Sequence, residues 1–336
     1  MDSVTQIALG AAVGEATLGR QVGRRAWMWG AACGLFPDLD VLFPFADAVK
    51  RFTYHRGPSH SLFVLAALTP LFVWLILKLH PHTAKYRGRW VALVFLAFTT
   101  HVLLDCFTVY GTHIFWPFAT PPVMWSTIFI IDPVYSAPLF FGVMAALVAS
   151  RKRSWGHLAN TVCLILSTIY LLWTVGTKVY VTHIAHASLK RQEVSYQKML
   201  TIPAPFNTLL WRVLAMDDKG YYEGFYSLFD NTRDVRMTHY PSDPSLLEDM
   251  ADHWPVKRLQ WFTHGFYSVR QRLDDIVITD LRMGVEPFYV FQFKVGEAGN
   301  PHAKPKKCKP VVGERGWDRL VWVWHRIWTD EPLAGT

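Results

Sequence analysis

His101 and Asp105 stand four residues apart in "TTHVLLDCF", inside an otherwise apolar stretch of about 20 residues. That spacing sets both side chains on one helical face. Ionisable groups in so apolar a setting are costly and point to a function, although a purely structural hydrogen bond between the two is the plainer alternative. Three further stretches add residues of the same chemistry. "GLFPDLD" carries Asp38 and Asp40, "YHRGPSHSLF" carries His55, Arg56 and His60, and "IFIIDPVY" carries Asp132. Imidazole and carboxylate ligands together suit zinc or another divalent transition metal. Asp38, Asp40, His55, His60, His101 and Asp105 would hold one or two ions and leave a position for water, whose pKa a bound metal lowers toward about 7. Arg56 is then suited to neutralise phosphoryl charge, and Asp38 or Asp132 to accept a proton. Taken singly, each residue has a plainer reading. Asp38 and Asp40 are turn or cap residues after Pro37, Ser59 is a helix N-cap, His55 is a loop histidine, and Asp132 is a cap before Pro133.

The elements that carry these residues are membrane elements. Of 336 residues, 51% are hydrophobic and only 18% charged, against roughly 25% charged in soluble domains. Asp105 and Asp132 are the only formally charged residues between 91 and 150. Four stretches reach or approach the length that crosses a bilayer: 60–79, 90–109, 126–149 and 158–182. A fifth, 26–45, is broken by Pro37, Asp38 and Asp40. Residues 3–19, rich in Gly and Ala, read as a helix made for close helix packing.

Lysine and arginine set the orientation. They gather at Arg20, Arg24 and Arg25, again from Lys78 to Arg89, and again at Arg151, Lys152 and Arg153. Short basic connections stay cytoplasmic, and these three fall at every second crossing. Residues 38–60, 105–132 and everything after about 183 are therefore expected on the opposite side. All the ligand-type residues then share one depth, although cations alone set the orientation. The net charge of +8 is explained by these connections, so no nucleic-acid partner is expected.

After about residue 190 the pattern changes. Segments 221–230, 258–269, 274–282 and 287–295 alternate or run with aromatic and β-branched residues between turn residues, as strands do. Short helices are expected at 185–200 and 244–252. Residues 319–328 read as a strand or an interfacial aromatic segment, and the basic 302–310 as a solvated loop or a contact for anionic headgroups. His239, His253, His264 and His325 are scattered and read as structural. The four cysteines suggest no pairing. No Walker loop, Rossmann glycine pattern, GxSxG elbow or paired CxxC occurs. The expected architecture is a membrane α-helical bundle of about five or six helices over residues 1–185, followed by an extracytoplasmic α+β domain over 186–336.

The motifs "MDSVTQIALGAAVGEA", "GLFPDLDVL", "HRGPSHSL", "HVLLDCFTVYGTHIFWPF" and "IFIIDPVY", in that order, resemble the YdjM-like family, described as inner-membrane-associated metal-dependent hydrolases. The pattern is also similar to that of zinc-dependent phospholipase C and its single-strand nuclease relatives, where an HxxxD helix supplies ligands. The resemblance implies Asp38, Asp40, His55, His60, His101 and Asp105 as ligands, zinc as the ion, and a bacterial inner membrane location. It departs at Gln6, where members often carry histidine.

The expected function is hydrolysis of a phosphoester, of lipid type, at the outer face of that membrane. The alternative is a non-catalytic regulator or assembly protein with a structural metal cluster. Transport ranks last, because polar residues crowd one end of the membrane depth. Reporter fusions after Arg153 and after Ala187 should report opposite sides of the membrane, with the C-terminal half outside. A cytoplasmic signal from the second fusion would overturn the shared-depth argument.

Overall fold

A computed structural model describes residues 1–45, 47–149, 155–299, 303–311 and 318–330. The basic connection Arg151–Arg153 and, at the start of the 302–310 stretch, His302 lie outside the described residues. The chain forms two units. The first comprises Met1–Phe43, Arg56–Trp125 and Ile130–Val175, and the second Pro44–His55, Ser126–Phe129 and Gly176–Thr336.

The first unit begins with helices α1 (Ser3–Val22) and α2 (Arg24–Leu35), joined through Gly23 at φ 64°. Asp2 caps α1 by accepting from the Thr5 backbone N–H. Glycines set the distance between the two helices. A Cβ on Gly10 would lie 2.3 Å from the Gly30 carbonyl oxygen, and one on Gly34 would lie 2.5 Å from that of Gln6. Pro37 follows directly, and the chain tightens into a 3-10 turn, Phe36–Leu42, that carries Asp38 and Asp40. After α3 (Ala48–Tyr54), which belongs to the second unit, come α4 (Leu62–Leu79) and α5 (Arg87–Cys106).

The core of this unit joins Leu18 and Val22 of α1, Ala26 and Cys33 of α2, Leu65 and Val73 of α4, and Trp90, Val94, Phe98 and Val102 of α5. Among the described residues, three helical stretches are long and apolar enough to cross a membrane: Leu62–Leu79, Pro81–Cys106 and Trp155–Arg191, the last being α7. Most of α4 and α7 is apolar yet uncovered by protein, as lipid-facing helices are. Two expected spans are shorter than the apolar pattern implied. Stretch 26–45 divides at Leu35, where Pro37 ends α2. In 126–149 only α6 (Pro133–Val148), 16 residues long, is helical, because Asp132 and Pro133 fix its start.

The second unit is built on two four-stranded antiparallel sheets. One has the order β1 (Lys198–Pro203), β2 (Leu210–Met216), β3 (Gly220–Ser227), β4 (Met237–Pro241). Helix α8 (Trp254–Phe262) intervenes before β5 (Tyr267–Arg272), β6 (Asp275–Asp280), the β7–β8 hairpin (Gly284–Val285, Phe288–Tyr289), β9 (Gln292–Glu297) and β10 (Lys304–Pro310). The second sheet runs β10-β9-β6-β5, and helix α9 (Asp318–Trp328) follows.

Several expectations are corrected here. Residues 258–269 divide into the end of α8 and the start of β5, with His264 and Gly265 at positive φ between them. Stretch 185–200 is the end of α7 and the start of β1, and 244–252 is mostly the 3-10 turn Pro244–Met250. The stretch expected as a solvated loop is largely strand β10, with Cys308 buried, its thiol pushed up to about 12 mainly by that burial. Of the two readings of 319–328, the strand is replaced by a helix, the apolar side chains falling at helical rather than alternating spacing.

A buried polar network ties these strands. Arg212 on β2 pairs with Glu223 on β3 and donates to the Leu281 carbonyl and, at 3.0 Å, to the Tyr289 hydroxyl. Glu286 accepts from Tyr221 and, at 2.6 Å, from Arg270.

The α1–α2 contact yields a stability test. Gly30→Val forces a side chain against the Gly10 carbonyl, 2.2 Å from where its Cβ would sit, and should cost about 1–3 kcal/mol by overpacking. Gly88→Ala, with nothing within 4 Å of the added Cβ, should be neutral or slightly stabilising. Equal unfolding midpoints for the two variants in detergent micelles would show that the glycine contact does not set the helix spacing.

Candidate metal centre

Four side chains from three segments meet in the first unit. Asp38 comes from the 3-10 turn after α2, His60 from the short turn Pro58–His60, and His101 and Asp105 from successive turns of α5. All four are buried, and one ligand atom from each lies within 4.8 Å of the others. His60 Nε2 is 3.2 Å from His101 Nε2, 3.2 Å from Asp105 Oδ2 and 3.5 Å from Asp38 Oδ1. His101 Nε2 is 3.6 Å from both Asp38 Oδ1 and Asp105 Oδ2.

These spacings can be held against a known geometry. A tetrahedral ion with ligand bonds of about 2.0–2.2 Å spaces its ligand atoms about 3.3–3.6 Å apart. Three of the six edges fall in that range and two more, at 3.2 Å, lie just below it.

The hydrogen-bond network fixes the two imidazoles in a matching state. His101 Nδ1 donates to the Gly34 carbonyl oxygen at 2.6 Å. Ser59 Oγ donates to Asp40 Oδ2 at 2.8 Å and therefore accepts from His60 Nδ1 at 2.9 Å. With both Nδ1 atoms protonated, the two Nε2 atoms point lone pairs at each other. A bound cation, or a further proton on one of the two imidazoles, resolves that approach. The electrostatics agree: burial alone would depress the His60 pKa, but Asp105 and Asp38 outweigh it and hold it above the ordinary value. Asp38 behaves in the opposite sense. Burial would raise its carboxyl, yet the two imidazoles hold it well below the usual range.

Asp105 is divided in its roles. Its Oδ1 receives Gln6 Nε2 at 3.0 Å, Arg56 Nη2 at 3.2 Å and the Met1 amino group. Its Oδ2, also buried, faces the His60 and His101 Nε2 atoms at 3.2 and 3.6 Å and receives no N–H from either while both imidazoles carry their proton on Nδ1. A buried carboxylate oxygen without a partner is expensive, and a bound ion would supply that partner.

Behind the four lies a second layer. Asp40 accepts from the Arg56 backbone N–H at 2.8 Å as well as from Ser59, and it stands 3.6 Å from His60 Nδ1. Arg56 is buried at φ 60°, donates to Thr108 at 2.9 Å and lies over the Tyr110 ring. Ser3 donates to Asp38 Oδ2 at 3.0 Å.

Of the residues singled out in the sequence, Asp38, His60, His101 and Asp105 are brought together, and Asp40 stands one layer behind. His55 is the residue that closes α3 and is not a member of the group. Asp132 caps α6, its carboxylate accepting from the Val134 and Tyr135 backbone and from Tyr170. Ser59, expected as a helix N-cap, instead bridges Asp40 and His60, and Ser61 caps α4. The roles of Gln6, Gly34, Ser3 and Thr108 carried no sequence signal of their own. Gln6, noted in the sequence only as the departure from the family's histidine, is an amide inside an apolar helix that reaches both Asp105 and the His101 carbonyl.

The family model for the YdjM inner membrane protein matches residues 1–180. The chain belongs to the YdjM family. The matched stretch contains all four residues of the group, their second layer and most of the three membrane-length helices, which supports an inner membrane location. No curated protein and no solved structure matches the chain.

His60→Ala, His101→Ala and Asp105→Ala should each lower the divalent metal bound per protein, as measured by elemental analysis and chelator competition. Ser59→Ala, which leaves His60 Nδ1 without its acceptor, should weaken binding by about 10–100-fold. His55→Ala, His253→Ala and His325→Ala should retain full metal content. Equal loss across all seven variants would remove the group as a metal site.

Proposed function

We propose that this YdjM-family chain is a multi-pass inner-membrane phosphoester hydrolase that holds one divalent metal, zinc by its donor set. The observation that carries the reading is the buried two-histidine, two-aspartate group, with most edges in or just below the range of a single ion and one carboxylate oxygen that receives no N–H while both imidazoles carry their proton on Nδ1. When bound, such an ion polarises a phosphoryl oxygen and lowers the pKa of water beside it.

The chain's own residues supply the rest. Gly34 and the Ser59–Asp40 pair hold the two imidazoles in the tautomer that ligates. Arg56 steadies Asp105 and brings a permanent positive charge next to the group, in keeping with an anionic substrate. Of the two carboxylates expected to accept a proton, Asp38 is itself a member of the group, while the Asp132 oxygens are taken up in its cap. A lipid substrate is favoured by the turn that carries Asp38 and Asp40, since it also exposes Leu39, Val41, Leu42 and Phe43. In this reading residues 1–185 are the membrane domain and 186–336 an extracytoplasmic domain.

A second reading has support of its own. Four protein ligands, all buried, would close a tetrahedral ion completely, as structural zinc sites do. The YdjM chain would then be a membrane regulator or assembly protein.

The full chain, purified in detergent, separates the two. Stoichiometric zinc together with chelator-sensitive release of phosphate or headgroup from phosphatidic acid and phosphatidylglycerol is expected of the hydrolase. Arg56→Lys should keep the zinc and lose most turnover, because an ammonium does not reproduce the guanidinium fork. Stoichiometric zinc with no turnover, and a fall in melting temperature on chelation, would establish the structural cluster instead.

A further inference from the structure

Helix α9 presents two unlike faces. Val323 and Ile327 are buried against Ala204 and Leu210, and Arg326 is buried in a two-fold pairing with Asp230 at 2.7 and 2.8 Å. Ser227 fixes the helix further by donating to the Ile327 carbonyl at 2.7 Å. The opposite face exposes Val321 (71%), Trp324 (65%) and Trp328 (56%), three and four residues apart. Trp328 stacks on Phe229, itself 53% exposed, with ring centroids 5.0 Å apart. So firmly held a helix does not expose two tryptophans through fraying.

The pairing of β1 with α7 shows which end of the sheet this face occupies. His186 meets Tyr196 at 2.5 Å, whereas Thr182 and Lys178 meet Thr201, at 2.7 Å and 2.5 Å. Strand β1 therefore runs antiparallel to α7, back toward its apolar part. Three residues beyond Thr201, at Ala204, the chain is about 10 Å further in that direction. Ala204 and Leu210 form the β1–β2 turn, and they are the residues α9 covers. Ser227, paired with Leu210 in register, puts the end of β3 and then Phe229 at the same level. Phe206, at the tip of the turn with φ 65°, is 42% exposed.

We propose that the Val321–Trp324–Trp328 face of α9, with Phe229 and Phe206, lies in the bilayer interface where α7 emerges and seats the second unit on lipid. Two exposed tryptophans beside exposed Val321 and Phe229 call for a partner. Continuity with a membrane-length helix selects lipid as that partner. Tryptophan and tyrosine favour the headgroup level, where the ring is apolar and the indole or phenol hydrogen bonds are met by water. The proposal is independent of the hydrolase reading, because none of these residues belongs to the metal group.

The full chain carrying Trp324→Cys, Trp328→Cys or Leu273→Cys would be spin-labelled and reconstituted in phosphatidylcholine–phosphatidylglycerol vesicles. The unsubstituted chain, labelled in parallel, gives the baseline for the native cysteines. Leu273 is 94% exposed in the β5–β6 turn and serves as the aqueous reference. Labels at 324 and 328 should relax faster with oxygen than with a water-soluble nickel chelate, and the label at 273 should do the reverse. Nickel accessibility at 324 and 328 equal to that at 273 would overturn the proposal. So would labels shielded from both reagents, with dipolar broadening between labelled chains, which would identify a second copy on this face.

Discussion

The close approach of α1 and α2 is the constraint on which the metal group depends. Gly10, Gly14, Gly30 and Gly34 let two backbones touch where any Cβ would collide with a carbonyl. That contact positions Gln6 against Asp105 and aims the Gly34 carbonyl at His101 Nδ1. The same helix end then turns at Pro37 and delivers Asp38. Backbone that packs the helices is thus also backbone that sets the tautomer of a ligand. A side chain at Gly34 would disturb the packing and the imidazole together.

Burial raises the stakes for the four residues so held. Two carboxylates and two imidazoles enclosed away from water are stable only when their charges and lone pairs are met. Part of this is done within the protein, by Arg56 and Gln6 on Asp105 Oδ1 and by Ser3 on Asp38. The atoms facing inward are not met in that way. The two Nε2 atoms, Asp38 Oδ1 and Asp105 Oδ2 lie close together, and a single divalent ion among them could satisfy all four.

The types of residue were legible in the sequence, and the faces only in part. His101 and Asp105 could be paired because helical spacing decides which side chains share a face. Their meeting with Asp38 and His60 depends on two irregular turns, whose geometry no periodicity encodes. His55 and His60 looked equivalent in one short motif, yet the positive φ at Arg56 turns the chain between them, and only His60 enters the group. In the second unit, alternation located β3 and β6 but missed β1, β2 and β4. Strand β2 is buried on both faces, so it reads as a continuous apolar run broken only by Arg212. The division of 258–269 between helix and strand was hidden because Trp, Phe and Tyr serve both.

The two units answer their buried charges differently, and the difference locates the chemistry. Arg212 meets Glu223, Arg282 meets Asp280 and Arg326 meets Asp230, each pair closed by its own partners. Such pairs fix strand order and need nothing from outside. Among the described residues, buried side-chain atoms without a hydrogen-bond partner do occur in both units, mostly as isolated amide, indole or hydroxyl atoms. The two that belong to aspartate and arginine, Asp105 Oδ2 and Arg56 Nε, lie in one ion pair, and Gln6 Oε1 belongs to the amide bonded to the same aspartate. Unmet capacity held by charged groups at one place is hard to retain unless something binds there. The buried ion pairs of the second unit are thus closed within the fold, whereas the described group that could hold a metal ion lies in the first.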